Sequence, residues 1–456
     1  MKLFEKEIKI PILSNSDNLI EYLSDQVFNL ISAEETPIRF VITHTDSEFY
    51  HCELGLISKS ENRSLNLDSS IFSLNKRLCE NTKEFNAVLL IPTGIGAEIG
   101  GHCGDGNAVA RLIASTCDTL ITHPNVVNAS DINEMTENTL YVEGSIITRL
   151  LMGQLGLQKV RANKILMLMD EHEDELFNNE IVNAVSSARI SLGISCDVIK
   201  MTDRINSTSL YSVSGRAVGQ VENIEKLFGI AKKYMQNYDA IGLSTFIKVP
   251  DQFHKLYFSE DNMINPWGGI EAMITHSLSL ELNIPSAHSP MMSSREVMNL
   301  EVGIVEPRKA PETSSVTYLH CILKGLHKSP KLVPFDKGLN VEDISCLIIP
   351  DGCVGLPTLA AFEHEIPVIS VRENKNRMHN DLEKYPFKQG KLFIVDNYLE
   401  AVGVMNAIKA GVSVDVVRRP ITQTNLITDN SLNNTYSQTE NNENISNEKI
   451  LKKRIS

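Results

Sequence analysis

The sequence has little basic charge for its length. Its 456 residues include 43 lysines and arginines against 57 aspartates and glutamates, which gives a net charge of −14. Proteins that bind nucleic acid or an anionic membrane through long-range electrostatics need a basic face. The composition therefore predicts neither a nucleic-acid partner nor a membrane partner.

Long apolar runs and paired cysteines are also missing. No apolar run reaches the length of a transmembrane helix, and the N-terminal MKLFEKEIKI lacks the apolar core of a secretory signal. The eight cysteines are scattered without a CxxC pair, which in a chain of this size is typical of reduced thiols. Together these features predict a cytoplasmic location.

From residue 86 onward, short apolar runs alternate with stretches of helical spacing. This rhythm predicts an α/β fold with largely parallel sheets covered by helices, arranged as two Rossmann-like lobes. We predict four segments: a small α+β N-terminal unit (1–84), a first α/β lobe with a Gly-rich loop (85–250), a second α/β lobe (251–420) and a disordered tail (421–456).

The Gly-rich loop follows the apolar run 87–91. Strand, loop and helix would surround a crevice with backbone N–H groups and a helix N-terminus, where anions bind readily. The spacing matches neither GxGxxG nor GxxxxGK[ST], and glycines after a strand often serve only tight turns. The residues that could face the crevice are Gly94, Gly96, Gly100, Gly101, His102, Cys103, Asp105, His123 and Asn125.

A second informative stretch, 265–292, reads NPWGGIEAMITHSLSLELNIPSAHSPMM. Glu271 falls in the first turns of a predicted helix. His276 is five residues further on, about 140° around the helix, so the two side chains are not expected to share a face. His288 lies in a proline-bounded segment beside serines. It is either an acid–base residue or a structural histidine.

A third stretch, 345–374, contains a thiol in a glycine turn. Cys353 follows Gly352 and precedes a predicted helix that begins at Thr358. A helix N-terminus lowers a thiol pKa and offers N–H groups to an anion. Arg372 and Asn374 end the next predicted strand, where ligands collect in parallel sheets.

Seven segments resemble an uncharacterised family of bacterial and plant proteins, domain of unknown function 3326. The resemblance implies no chemistry, because no activity is established for that family. The segments, in order over roughly residues 85–420, are PTGIGAEIGG (92–101), THPNVVNA (122–129), LYVEG (140–144), GGIEAMITH (268–276), AHSPM (287–291), CILKGLH (321–327) and IPVISVREN (366–374).

The stretch IIPDGCVGLPTLAAFEHEIPVISV also looks like the second cysteine loop of aspartate/glutamate racemases, in which two cysteines act as acid and base. Here the second thiol would be Cys103. The same stretch is similar to the C-terminal sugar-nucleotide loop of two-domain glycosyltransferases and UDP-sugar 2-epimerases.

Three functions follow as hypotheses. The first is a cofactor-independent isomerase, epimerase or lyase acting on a small anionic metabolite. Cys353 would pair with Cys103 or His288, and Arg308 or Arg372 would hold a carboxylate. The second is a nucleotide- or sugar-phosphate-dependent transferase with Asp105, Glu271 or His123 as base. The third is a non-catalytic small-molecule-binding protein. No metal or cofactor is predicted, and a homo-oligomer is compatible with the sequence.

Overall fold

The computed structural model describes residues 1–13, 18–59, 69–298, 302–315, 317–421, 423–424 and 426. Its strands are β1 Lys2–Pro11, β2 Glu35–Thr45, β3 Phe49–Ser58, β4 Asn86–Leu89, β5 Thr119–Thr122, β6 Thr139–Tyr141, β7 Gly156–Gln158, β8 Lys164–Asp170, β9 Ser195–Met201, β10 Asn206–Tyr211, β11 Ala217–Glu222, β12 Ala240–Thr245, β13 Ile247–Lys248, β14 Ser286–Pro290, β15 Lys331–Val333, β16 Ile344–Pro350, β17 Val354–Gly355, β18 Val368–Val371 and β19 Leu392–Val395.

The α-helices alternate with these strands along the chain. They are α1 Leu19–Leu30, α2 Asn107–Ala114, α3 Pro124–Val127, α4 Gly144–Leu151, α5 Glu175–Leu192, α6 Ile224–Tyr234, α7 Asp251–Ser259, α8 Gly268–Leu282, α9 Arg295–Met298, α10 Leu319–Lys328, α11 Leu356–Glu363, α12 Tyr398–Lys409 and α13 Val414–Val417. Short 3-10 turns lie at Ala310–Thr313 and four other places.

A six-stranded sheet has the order β19-β18-β16-β4-β5-β6, and all of its pairings are parallel. The chain starts in the middle at β4, runs outward to β6, returns to the middle at β16 and runs outward again to β19. This is the order of a doubly wound Rossmann sheet. The prediction of an α/β fold with parallel sheets is confirmed.

A second parallel sheet, β14-β12-β8-β9, is built between β6 and β16 of the first. The antiparallel pair β7–β15 joins the segment where the chain leaves the six-stranded sheet, after β6, to the segment where it returns, before β16. Each parallel sheet thus takes strands from both sides of residue 250. The boundary predicted between 85–250 and 251–420 does not separate the sheets, because they interleave along the chain.

The N-terminal strands join a seven-stranded sheet, β13-β10-β11-β1-β3-β2-β17, rather than forming a unit of their own. The strand-like runs 38–43 and 50–57 on either side of a polar turn predict a hairpin, which is present as β2 and β3. In addition, β1 pairs with β11 and β2 pairs with β17. Residues 1–409 accordingly form one compact unit. Of the tail predicted for 421–456, only residues 421, 423, 424 and 426 lie within the described residues.

Helix α8 is buried on nearly all sides, as expected for a helix packed between other elements. It contacts β11, β14 and α4. The approach to β11 depends on Gly269, where a Cβ atom would lie 2.1 Å from the carbonyl oxygen of Ala217. A side chain at residue 269 would push the start of α8 away from the sheet.

We expect Gly269→Ala to destabilise the protein by about 1–3 kcal/mol, because backbone must move to relieve the overlap. The matched control is Gly229→Ala in α6, where an added Cβ meets nothing within 4 Å. That change should stabilise the protein by up to about 1 kcal/mol through helix propensity. Urea unfolding of both variants measures the difference, and equal effects would contradict this account of α8.

Candidate functional site

A cavity of about 230 Å³ lies where the parallel strands end. Thr93 follows β4, His123 directly follows β5, Glu143 lies two residues after β6, and His288 belongs to β14. Ligands of parallel sheets collect at these carboxyl ends. The first half of α8 closes the cavity, with Glu271 and His276 among its lining residues.

Glu143 and His276 form a hydrogen-bonded pair in the cavity wall. His276 Nδ1 contacts Glu143 Oε1, while Glu143 Oε2 accepts hydrogen bonds from the N–H of Ser145 (2.9 Å) and from its hydroxyl. Burial raises the pKa of Glu143, but His276 and these hydrogen bonds outweigh it and hold the pKa below its ordinary value. An ionised Glu143 can only accept, so His276 donates its Nδ1–H to it, and Nε2 is the ring nitrogen that does not bond to Glu143.

Glu271 and His288 form a second pair, with 3.9 Å between Glu271 Oε1 and His288 Nδ1. Burial and the neighbouring Glu312 raise the pKa of Glu271 to about 8. Burial lowers the pKa of His288 to about 3, so its ring is neutral. Its Nε2 is 2.9 Å from Thr245 Oγ1, and its buried Nδ1 has no hydrogen-bond partner within the described chain.

His123 is a further neutral imidazole in the wall. Its Nε2 accepts the backbone N–H of Ile91 at 3.2 Å, so its proton is on Nδ1. Burial lowers the pKa of His123 to about 4. Asn125 also lines the cavity, and its amide donates to the carbonyl of Gly100 at 2.6 Å.

Glu312 fixes one end of the cavity. Its Oε1 accepts hydrogen bonds from the Tyr257 hydroxyl (2.7 Å), the backbone N–H of Cys103 (2.9 Å) and the amide of Asn265 (3.4 Å). Burial raises the pKa of Glu312. The Cys103 side chain lines the cavity, and burial raises the pKa of its thiol well above the ordinary value. Cys103 is thus a protonated thiol and not a thiolate.

Five of the predicted site residues meet in this cavity: Cys103, His123, Asn125, Glu271 and His288. Sequence reasoning missed Glu143, His276, Glu312 and Trp267 as lining residues. Glu271 and His276 do diverge around α8, but the cavity wraps over the face between them, at Gly268, Ala272 and Thr275. The i, i+3, i+4, i+7, i+8 spacing of these lining positions was the available signal.

Several amides of the Gly-rich loop already donate to oxygens of the protein. Asn374 Oδ1 accepts the N–H of Ile99 (2.9 Å), and Asp105 Oδ1 accepts the N–H of Gly100 (2.8 Å). Burial raises the pKa of Asp105 to about 7. Asp105 and Asn374 therefore hold the loop in shape, and neither lines the cavity.

The loop glycines, Gly94, Gly96, Gly100 and Gly101, serve turns and close packing. The first three have positive φ, and a Cβ on Gly101 would lie 2.0 Å from the Ala97 carbonyl oxygen. None of the four lines the cavity. His102 is buried beside the loop with Nδ1 2.8 Å from the Tyr257 hydroxyl, and burial lowers its pKa to about 4.

Cys353 and its neighbours are also outside the cavity. Strand β17 follows Cys353 directly and pairs with β2, so the N-terminal sheet covers this turn. Gly352 has positive φ, and its carbonyl accepts a hydrogen bond from Asn380 at 2.8 Å. Thr358 Oγ1 donates to the Cys353 carbonyl at 3.0 Å. Burial raises the pKa of the Cys353 thiol, contrary to the expected lowering.

The two arginines proposed as carboxylate ligands have other partners. Arg308 pairs with Glu98 (2.7 Å) and Glu306 (2.9 Å), and Arg372 is exposed with Asp396 at 3.8 Å. No lysine or arginine is among the described residues that line the cavity. The prediction that an arginine holds a substrate carboxylate is therefore corrected.

The chain matches the family model described as "Protein of unknown function (DUF3326)" over residues 86–418. The chain belongs to this family. Every residue that lines the cavity lies within the span the family model matches, whereas β1, β2 and β3 lie outside it. The family segments PTGIGAEIGG, THPNVVNA, LYVEG, GGIEAMITH and AHSPM each contribute to the cavity or border it.

A relative in Synechococcus sp. is 30% identical over 341 residues, which are 72% of this chain and 92% of the relative. It bears the name of an uncharacterized lipoprotein. This finding contradicts the cytoplasmic location predicted from the sequence, and that prediction is withdrawn. No solved structure matches the chain. Across the described residues, no helix has both the length and the apolarity to cross a membrane.

Proposed function

We propose that the cavity is the active site of an enzyme that transfers protons to and from carbon, an isomerase, epimerase or lyase. The observation that carries this proposal is the meeting of two pairs, Glu143–His276 and Glu271–His288, in one cavity of about 230 Å³. Acid–base catalysis needs a base and an acid that reach one substrate atom, each in the correct protonation state.

His276 acts as the base. Because Glu143 holds the Nδ1 proton, Nε2 takes the proton from a substrate C–H bond, and the ionised Glu143 stabilises the imidazolium that forms. The sequence hypothesis gave acid–base chemistry to Cys353 with Cys103 or His288, whereas this proposal gives the role of base to His276.

Glu271 acts as the acid. Its pKa of about 8 keeps it protonated at neutral pH, so it can deliver a proton to the substrate as His276 removes one. After an isomerisation, one proton has left the substrate and one has joined it. His276 then releases its proton to water and Glu271 takes one up from water, which restores the protonation states in which the cycle began. The divergence of Glu271 and His276 by about 140° around α8 lets them approach a ligand from different sides.

The substrate we propose is a small uncharged or cationic molecule. The cavity wall contains three carboxyl groups and no lysine or arginine among the described lining residues, which disfavours a polyanion. The transferase hypothesis is weakened for the same reason, and because the Gly-rich loop amides bond to protein oxygens.

The test is a ligand screen by thermal shift, followed by deuterium exchange of each ligand found. The panel holds neutral sugars, amino acids, amines, hydroxy acids, dicarboxylates, sugar phosphates and nucleotides. A ligand at 100 times its dissociation constant adds about 2.7 kcal/mol to stability. Stabilisation only by sugar phosphates or nucleotides would overturn the proposal, and a ligand that binds without exchange would indicate a binding protein.

We expect the exchange rate to fall about tenfold per pH unit above pH 8. Glu271 loses its proton as the pH rises through its pKa of about 8, and only the protonated form is an acid. Glu271→Gln should lose activity, and any residual rate should no longer fall above pH 8. A kcat/KM profile between pH 6 and pH 10 measures the effect, and a flat profile above pH 8 would rule out Glu271 as the acid.

A further inference from the structure

A second cluster of ligating side chains lies outside the region matched by the family. His44, at the end of β2, and His51, in β3, are directly opposite one another in the hairpin. Their ring centroids are 5.3 Å apart. Asp46 lies in the turn between them. One ligand atom from each of the three residues falls within 4.8 Å of the others.

We propose that His44, Asp46 and His51 bind a divalent transition-metal ion of the Zn²⁺ class. Two imidazoles and one carboxylate are a donor set that suits Zn²⁺, with the fourth position left to water. Nothing in this proposal depends on the function of the cavity.

The backbone already orients two of the three ligands. His44 Nδ1 is 3.0 Å from the carbonyl oxygen of His379, which leaves Nε2 as the nitrogen that can bind a metal. Asp46 Oδ1 accepts the N–H groups of Glu48 (2.7 Å) and Phe49 (2.8 Å). This leaves Oδ2 of Asp46 facing His51. Hydrogen bonds of this kind, from the ligand's second atom to the backbone, are the usual support of metal ligands.

The third ligand faces the second directly. His51 Nε2 is 2.7 Å from Asp46 Oδ2. In the metal-bound state the ion replaces the proton between them and draws in His44 Nε2. Zn–N and Zn–O bonds of about 2.0–2.2 Å require ligand atoms roughly 3.3 Å apart. The side chains of His51 and Asp46 are 28% and 39% exposed, so a shift of a few tenths of an ångström in their ligand atoms meets solvent on one side.

The ion would stabilise the contact between the β2–β3 hairpin turn and the segment after β18. His44 bonds to His379, and Thr45 Oγ1 donates to Asn380 Oδ1 at 2.8 Å. Asn380 in turn donates to the carbonyls of Ile42 (2.7 Å) and Gly352 (2.8 Å). A metal at His44 would therefore stabilise the same contacts that cover the Cys353 turn.

The experiment is calorimetric titration of Zn²⁺ into the full chain, repeated with His44→Ala and His51→Ala. We expect one equivalent at this site and a loss of affinity of about tenfold or more in each variant. The matched control is His172→Ala, whose ring bonds within the loop after β8 and to Ser293. Unchanged affinity in both hairpin variants would overturn the proposal.

Co²⁺ absorption of the wild-type protein separates this site from a cysteine site elsewhere, because the band pattern reports which atoms bind the ion. Nitrogen and oxygen ligation gives the visible bands of four-coordinate Co²⁺ without a sulfur charge-transfer band. A sulfur band, or spectra that stay the same in His44→Ala, would contradict the assignment.

Discussion

His276→Ala should lower kcat/KM for proton exchange by about 10²–10⁴-fold, the range that removal of a general base produces. Glu143→Gln should also lower kcat/KM, because a neutral amide no longer stabilises the imidazolium or fixes the tautomer of His276. The glutamine keeps an acceptor for the Ser145 N–H, which caps α4, so the fold should survive. Rates of deuterium incorporation into the ligand measure both effects.

The matched control is His320→Ala. His320 contacts the carbonyl of Ala184 at 3.1 Å through Nε2, on the side of α10 that faces α5, and it does not line the cavity. Its loss should leave kcat/KM within about twofold of the wild type, because the ring touches no group of the proposed mechanism. A full rate in His276→Ala with a normal melting temperature would remove His276 from the mechanism.

Arg216→Met should lower the free energy of unfolding by about 3–5 kcal/mol, because it breaks a buried ion pair and leaves the Glu53 carboxylate with Arg39 alone. Arg216 is 1% exposed and bonds through both terminal nitrogens to the carboxylate of Glu53. Arg39 also reaches Glu53, at 3.2 Å. Burial raises the pKa of Glu53, but the two arginines outweigh it and hold the pKa below its ordinary value.

Urea unfolding of Arg216→Met, Glu53→Leu and the double variant forms a double-mutant cycle, which measures the interaction between the two side chains. The double variant should lose less stability than the two single changes added together, since it leaves no unpaired charge from this pair. A loss below about 1 kcal/mol for Arg216→Met would show that the pair contributes little to the seven-stranded sheet.

Local sequence patterns predicted the parallel strands well. The apolar runs at β4, β8, β12, β16 and β18 are fully buried strands, and buried parallel strands read as continuous apolar runs. The sequence also predicts helices over 17–31 and 69–81. The first is present as α1, Leu19–Leu30. The second is wrong, because that segment bonds to 152–154 instead, for example from the Asn75 N–H to the Met152 carbonyl.

Long-range pairing was the part that a single sequence could not supply. Strand β16 returns to pair with β4 after an entire second sheet has been built. Glu143 and His276 are 133 positions apart, and no local pattern links them. The Cys353 turn has the local features of an anion site, but β2 covers it through β17. Arg216 lies in a short loop of small residues before β11, and no local pattern indicates that it pairs with Glu53 in the core.

The most direct test of the central claim is proton NMR of a ligand from the thermal-shift screen, incubated in D₂O with the wild-type protein. The account predicts that one carbon-bound proton of the ligand is replaced by deuterium at a rate that depends on enzyme concentration. A ligand that stabilises the protein at the cavity but keeps all of its carbon-bound protons would contradict the claim that His276 and Glu271 transfer protons.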